Sequence, residues 1–295
     1  MKNKKIIALF STLSSLLLGS CSPPRPSHPV VGAKNFTEQV VLGELLAQEI
    51  EAKSGLKVER RFYLAGSYIC QQSLLAGRID GYVEYTGTAL TAILKQPAGR
   101  DPQVVYSTVR KLFEDRYRVT AASPLGFENT FAMVVRGDDA RRLHLTTLSQ
   151  AEKFTPGWRL GVGYEFEQRP DGLPGLSAAY GLRFAAPPRT MDLGLLYRAL
   201  VAHQVDMIAA NSTDGSIQAL GLTILEDDRR YFPPYQAVPL VRDDALRRWP
   251  QIATALDALA GKITAADMRA MNEAVDGRHR DPVEVVREFR SAHGL

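Results

Sequence analysis

Five short stretches of this 295-residue chain combine side chains that could do chemistry: Lys34-Asn35-Phe36-Thr37-Glu38-Gln39, Glu84-Tyr85-Thr86-Gly87-Thr88, Arg169-Pro170-Asp171-Gly172, Ser212-Thr213-Asp214-Gly215 and Pro233-Pro234-Tyr235. They supply aromatic faces, a lysine, an arginine, hydroxyls, carboxamides and carboxylates, without the apparatus of catalysis. No GxSxG elbow, GxxxxGKS phosphate loop or GxGxxG turn is present, and His28, His144, His203, His279 and His293 show no paired metal spacing. Cys70 with His203 is the one nucleophile and base pair to be imagined, and a lone helical cysteine is usually a small buried hydrophobe. Neither an enzyme, a cofactor nor a metal centre is expected.

The elements that must position these clusters are announced by a repeat. Leu74-Leu75-Ala76-Gly77-Arg78-Ile79-Asp80 runs into Gly81 to Thr88, and Leu200-Val201-Ala202-His203-Gln204-Val205-Asp206 runs into Met207 to Asp214. Each copy reads as a helix end, a turn, a short apolar strand and a polar loop, and loops after strands are where open α/β sheets bind ligands. Two copies predict two lobes with a cleft between them. Around the first copy, Val30 to Ala33 reads as a strand, Asn35 with Glu38 as a capping box opening a helix to about Lys53, Lys57 to Tyr63 as a strand and Tyr68 to Ala76 as a helix. This βαβαβ order predicts a largely parallel sheet. Around the second copy, Phe131 to Val135 and Arg159 to Val162 read as strands and Met191 to Ala202 as a helix. Val238 to Val241 resumes a strand, and Leu246 to Leu295 has helix-forming composition.

The chain begins with Lys2, Lys4 and Lys5 before the apolar run Ile6 to Leu18, which reads as an export signal too short to span a bilayer. Leu18-Gly19-Ser20-Cys21 looks like a lipobox with Cys21 as the lipidated residue, and the proline-rich stretch to Pro29 reads as a stiff tether. The formal charge of +4 includes those three lysines, so the body carries only +1 and gives no electrostatic reason to expect nucleic acid. With Cys21 lipidated, Cys70 has no disulfide partner. The expected division is 1–20 signal peptide, 21–29 tether, 30–131 with 236–295 as lobe 1, and 132–235 as lobe 2.

In order and spacing, the five clusters resemble the substrate-binding proteins of osmoprotectant ABC importers, which take up glycine betaine, choline, carnitine and related quaternary ammonium compounds. The resemblance covers essentially all of the chain after the leader. It implies a two-lobed α/β fold of the type II periplasmic-binding-protein kind. It also implies a small-molecule quaternary ammonium ligand, an ABC permease as membrane partner with an ATPase subunit behind it, and a monomeric lipoprotein at the periplasmic or cell-surface side. A trimethylammonium group has no N–H to donate, so the negative faces of aromatic rings must hold it, at roughly 1–2 kcal/mol per desolvated ring.

By the same resemblance Tyr85, Phe131, Asn211 and Tyr235 take four cage positions, Asn129 sits at the rim, and Lys34, Thr88 and Arg169 hold the carboxylate of a betaine. Many members carry tyrosine at all four cage positions. Phe131 keeps a ring face without a hydroxyl, whereas Asn211 removes a ring. The expectation is weak binding of glycine betaine. The alternatives are a solute with more polar surface, such as an ergothioneine-like betaine or an amino acid derivative bonded by the Asn211 amide, or a solute sensor without transport.

Overall fold

The computed structural model describes residues 26–295; the leader and Cys21 lie outside the described residues. Among the described residues ten strands form two five-stranded sheets. The first holds β1 (Val30–Gly32), β2 (Glu59–Arg61), β3 (Gly81–Tyr85), β4 (Val119–Ala121) and β10 (Ala237–Arg242), in the order β2-β1-β3-β10-β4. The second holds β5 (Phe131–Arg136), β6 (Leu160–Val162), β7 (Arg189–Thr190), β8 (Met207–Asn211) and β9 (Leu222–Leu225), in the order β7-β6-β8-β5-β9. The two orders are the same pattern.

The sequence repeat supplies the middle strand of each sheet. The helix α2 (Ser67–Leu75) leads into β3, and the helix Leu193–Val201 leads into β8. The turns between them match in detail. Gly77 and His203 both adopt positive φ, 67° and 55°. Asp80 Oδ2 accepts the Val30 N–H at 2.9 Å, and Asp206 Oδ2 accepts the Arg159 N–H at 2.9 Å. In both lobes the same aspartate fixes the register of the neighbouring parallel strand.

The sheets are mixed rather than largely parallel. β1, β2 and β3 pair in parallel, but β10 runs antiparallel to β3 and β4; β5 likewise runs antiparallel to β8 and β9. The physical reason is the double crossing of the chain. A strand entering each sheet from the other lobe arrives at the loop edge and runs back against the middle strand. Phe131 already belongs to the second sheet, where it pairs with Asn211, so the first crossing precedes it. The two crossing segments also pair with each other, through Glu128 and Gln236 and through the Asn129 N–H donating to the Tyr235 carbonyl at 3.1 Å.

The helix α1 (Thr37–Ser54) is buried from Glu38 through Ile50 because the C-terminal helices Gln251–Leu259, Ala265–Asp276 and Pro282–His293 cover it. Burial on all sides forces its acids to find partners. Glu44 takes the Arg60 guanidinium at 3.0 Å and Glu49 takes Arg290 at 2.8 Å. The expected capping box does not form: Phe36 is the N-cap, no side chain caps the helix, and Glu38 is engaged elsewhere.

Cys70 is fully buried with Leu74, Ile79 and Tyr82 in the first lobe, whereas His203 sits in the exposed turn before β8 of the second. Desolvation pushes the Cys70 thiol up to about 12. In the body beginning after Cys21, Cys70 should therefore resist Ellman's reagent at pH 8 and react only as urea unfolds the protein. Rapid stoichiometric labelling of the native protein would contradict this packing.

Candidate functional site

Lys34, Tyr85, Thr88, Asn129, Phe131, Arg169, Asn211 and Tyr235 all line one cavity of about 270 Å³ between the two sheets. The topology explains the convergence. Tyr85 and Asn211 end the middle strands β3 and β8, Phe131 begins β5 beside Asn211, and Tyr235 lies just before β10 beside Tyr85. Lys34 follows β1, Thr88 follows β3 and Arg169 follows the helix Tyr164–Gln168. Gly87 admits the Tyr235 ring, since a Cβ there would stand 2.7 Å from two ring atoms and from the Pro234 carbonyl.

Both cations are buried, and each carries its own acid. Lys34 donates to Glu84, which also accepts the Tyr85 N–H at 2.8 Å. Arg169 donates from Nε and Nη2 to the two oxygens of Asp171 at 2.9 and 2.6 Å, and the Tyr235 hydroxyl donates to the same carboxylate at 2.6 Å. The cations also lie over rings. Lys34 Nζ is 4.8 Å from the Tyr85 centroid, and the Arg169 guanidinium is 4.9 Å from Phe131 and 6.0 Å from Tyr235. Both cations of the wall thus stand over its rings.

Asn129 is buried rather than at the rim, because it serves Glu38. The Glu38 carboxylate accepts from the Tyr85 hydroxyl at 2.5 Å, Asn129 Nδ2 at 2.8 Å, the Thr213 hydroxyl at 2.5 Å and Asn272 Nδ2 at 3.0 Å. These donors come from β3, a crossing segment, the loop after β8 and the helix Ala265–Asp276. One carboxylate thus joins the two lobes directly behind a cavity ring.

Sequence reasoning missed several residues of the wall: Phe36, Gly66, Ser67, Tyr164, Glu165, Phe166, Met191, Asp192 and Leu193. It also missed Glu38, Glu84 and Asp171 as the acids behind that wall, although all three stand inside the quoted clusters.

A model described as the substrate-binding domain of ABC-type glycine betaine transport systems matches residues 30–292. The chain belongs to that family. It is 36% identical to the carnitine transport binding protein OpuCC of Listeria monocytogenes serotype 1/2a (strain 10403S), over 97% of this chain and 96% of that one. It is 33% identical to a glycine-betaine-binding protein of Pseudomonas aeruginosa, over 90% of this chain and 88% of the other. A crystal structure of a glycine betaine/carnitine/choline ABC transporter superposes with a TM-score of 0.74 at 32% identity, covering 90% of this chain and 98% of that chain. As a member, this binding protein is a two-lobed α/β transport component and not an enzyme. It works outside the cytoplasm with an ABC permease, and no helix among its described residues is long and apolar enough to cross a membrane.

The binding protein keeps a second acid near Glu38 in the seam between its lobes. Asp214 accepts the Tyr197 hydroxyl, and burial together with the nearby Glu38 carboxyl pushes its pKa up to about 7 from an ordinary 3.8. A raised native pKa means the folded state binds the proton more tightly, so this group's contribution to stability falls as pH rises from about 4 to about 7. Asp214→Asn should accordingly raise the melting temperature relative to the parent at pH 8 and change it little at pH 4. A difference that does not vary with pH would contradict the burial of this carboxyl.

Proposed function

We propose that this binding protein captures a quaternary ammonium solute in the cavity between its lobes and presents the closed form to its permease. The observation that carries the reading is the charge balance of an aromatic-walled cavity. Glu165 and Asp192 on the wall, with Glu38, Glu84 and Asp171 bonded behind it, are five carboxyl groups against the two cations Lys34 and Arg169. No other lysine or arginine lines the cavity among the described residues. Such a site favours a permanent cation, which desolvated ring faces hold without hydrogen bonds.

In this reading Tyr85, Phe131 and Tyr235 surround the ammonium head, and Asn211 offers an amide where a fourth ring would stand. Lys34, Thr88 and Arg169 meet the polar end of the solute. Glu84 and Asp171 hold the two cations in place and leave only part of their charge to the ligand, so a carboxylate is held less strongly than two unpaired cations would hold it. The names of the relatives, for carnitine and for glycine betaine, fit the class of head group. Cys21 anchors the body by lipid, the stretch to Pro29 tethers it, and the body acts as a monomer.

Isothermal titration of the body beginning after Cys21 tests this against glycine betaine, choline, carnitine, proline betaine and ergothioneine. At least one should bind, with glycine betaine no tighter than micromolar. Phe131→Leu, which removes a ring face and no hydrogen bond to another side chain, should weaken that ligand by roughly 5- to 30-fold. Silence across the panel, or an affinity unchanged by Phe131→Leu, would overturn the reading.

A further inference from the structure

Glu165 is a carboxylate on the cavity wall that has no partner among the described residues. It stands in the first turn of the helix Tyr164–Gln168 in the second lobe, positioned by extended Gly163, and is half-buried. Its side chain reaches across the cleft and lies flush on Gly66 of the first lobe, where any Cβ would collide with the carboxylate. The adjoining Ser67 hydroxyl is buried and also has no partner among the described residues.

The contrast with the three acids bonded behind the wall is direct; Asp192, the other wall carboxylate, likewise has no hydrogen-bond partner among the described residues but is exposed, whereas Glu165 is half-buried. Glu38 has four donors, Glu84 has Lys34 and a backbone amide, and Asp171 has Arg169 and Tyr235. Glu165 has no hydrogen bond or ion pair among the described residues, although Arg169 is near enough to feel its charge. A carboxylate only accepts, so whatever ligand atom meets it must donate or carry positive charge. An acceptor opposite it is penalised by repulsion and by an unmade hydrogen bond.

We propose that Glu165 is a specificity-determining residue that selects quaternary ammonium solutes bearing an O–H or N–H donor on the arm opposite the ammonium head. The inference deepens the proposed function and rests on it. Plain glycine betaine has no donor and brings a carboxylate toward a carboxylate. A quaternary ammonium alcohol donates its hydroxyl to Glu165, with Ser67 beside it to accept or donate in turn. A solute with a ring N–H satisfies the same carboxylate. Discrimination arises here by excluding the unpaired alternative as much as by attraction.

The test compares choline with its O-methyl ether, which keeps the ammonium head and the charge but cannot donate. Titration calorimetry of the parent body should show choline binding on the order of 10- to 100-fold tighter than the ether, the scale of one charge-assisted hydrogen bond. Glu165→Ala should bring the two affinities together, chiefly by weakening choline. Glu165→Gln, which keeps an acceptor oxygen without the charge, should leave an intermediate ratio and guards against a folding defect in the alanine variant. Equal affinities in the parent, or a ratio that survives Glu165→Ala, would overturn the role of Glu165. So would silence of both compounds while another quaternary ammonium solute binds, whereas silence of every such solute would overturn the reading beneath it.

Discussion

The Glu38 carboxylate is the interaction on which the rest of this structure turns. A buried carboxylate with no cation beside it must be satisfied by donors, and burial still pushes its pKa above the usual range. The four donors come from segments far apart in sequence: Tyr85, Asn129, Thr213 and Asn272. Satisfying one acid therefore fixes the end of β3, a crossing segment, the loop of the second repeat and a C-terminal helix relative to α1. It also explains why α1 begins without a side-chain cap. The residue placed to close a capping box is spent inside the protein.

From that junction the site follows. Tyr85 cannot rotate without losing Glu38, and Tyr235 cannot rotate without losing Asp171. Phe131, which has no hydroxyl, is held by packing instead, edge-on to Phe166 at 4.8 Å and to Tyr235 at 5.8 Å. The two tyrosine rings are thus positioned by acids, and those acids make the surroundings negative. A single arrangement both orients the aromatic faces and favours a cation between them. The cost of burying Lys34 and Arg169 is offset by Glu84 and Asp171, which hold both cations in the wall.

Much of this was legible in the sequence, and what escaped it has a common cause. The repeat announced the two lobes because each copy encodes a whole local unit, helix, turn, strand and loop, down to the aspartate that pins the next strand. The cavity residues were legible because five clusters matched one family in order. The mixed sheets were not, since antiparallel β5 and β10 arise from crossings that join segments distant in the chain. Nor were the partners of Lys34 and Arg169. An acid fifty residues from Lys34, and one two residues from Arg169 in an extended turn, become counter-ions only once the chain is folded. Glu38 was misread because its spacing from Asn35 satisfies a local rule that the tertiary structure overrides.

The most direct test of the account is a crystal structure of the body with choline bound. The account predicts the ammonium nitrogen within about 6 Å of the Tyr85, Phe131 and Tyr235 ring centroids. It also predicts that the pairs Lys34 with Glu84 and Arg169 with Asp171 remain intact. An ammonium group bound away from these rings would contradict it, as would a ligand that pulls either cation from its carboxylate.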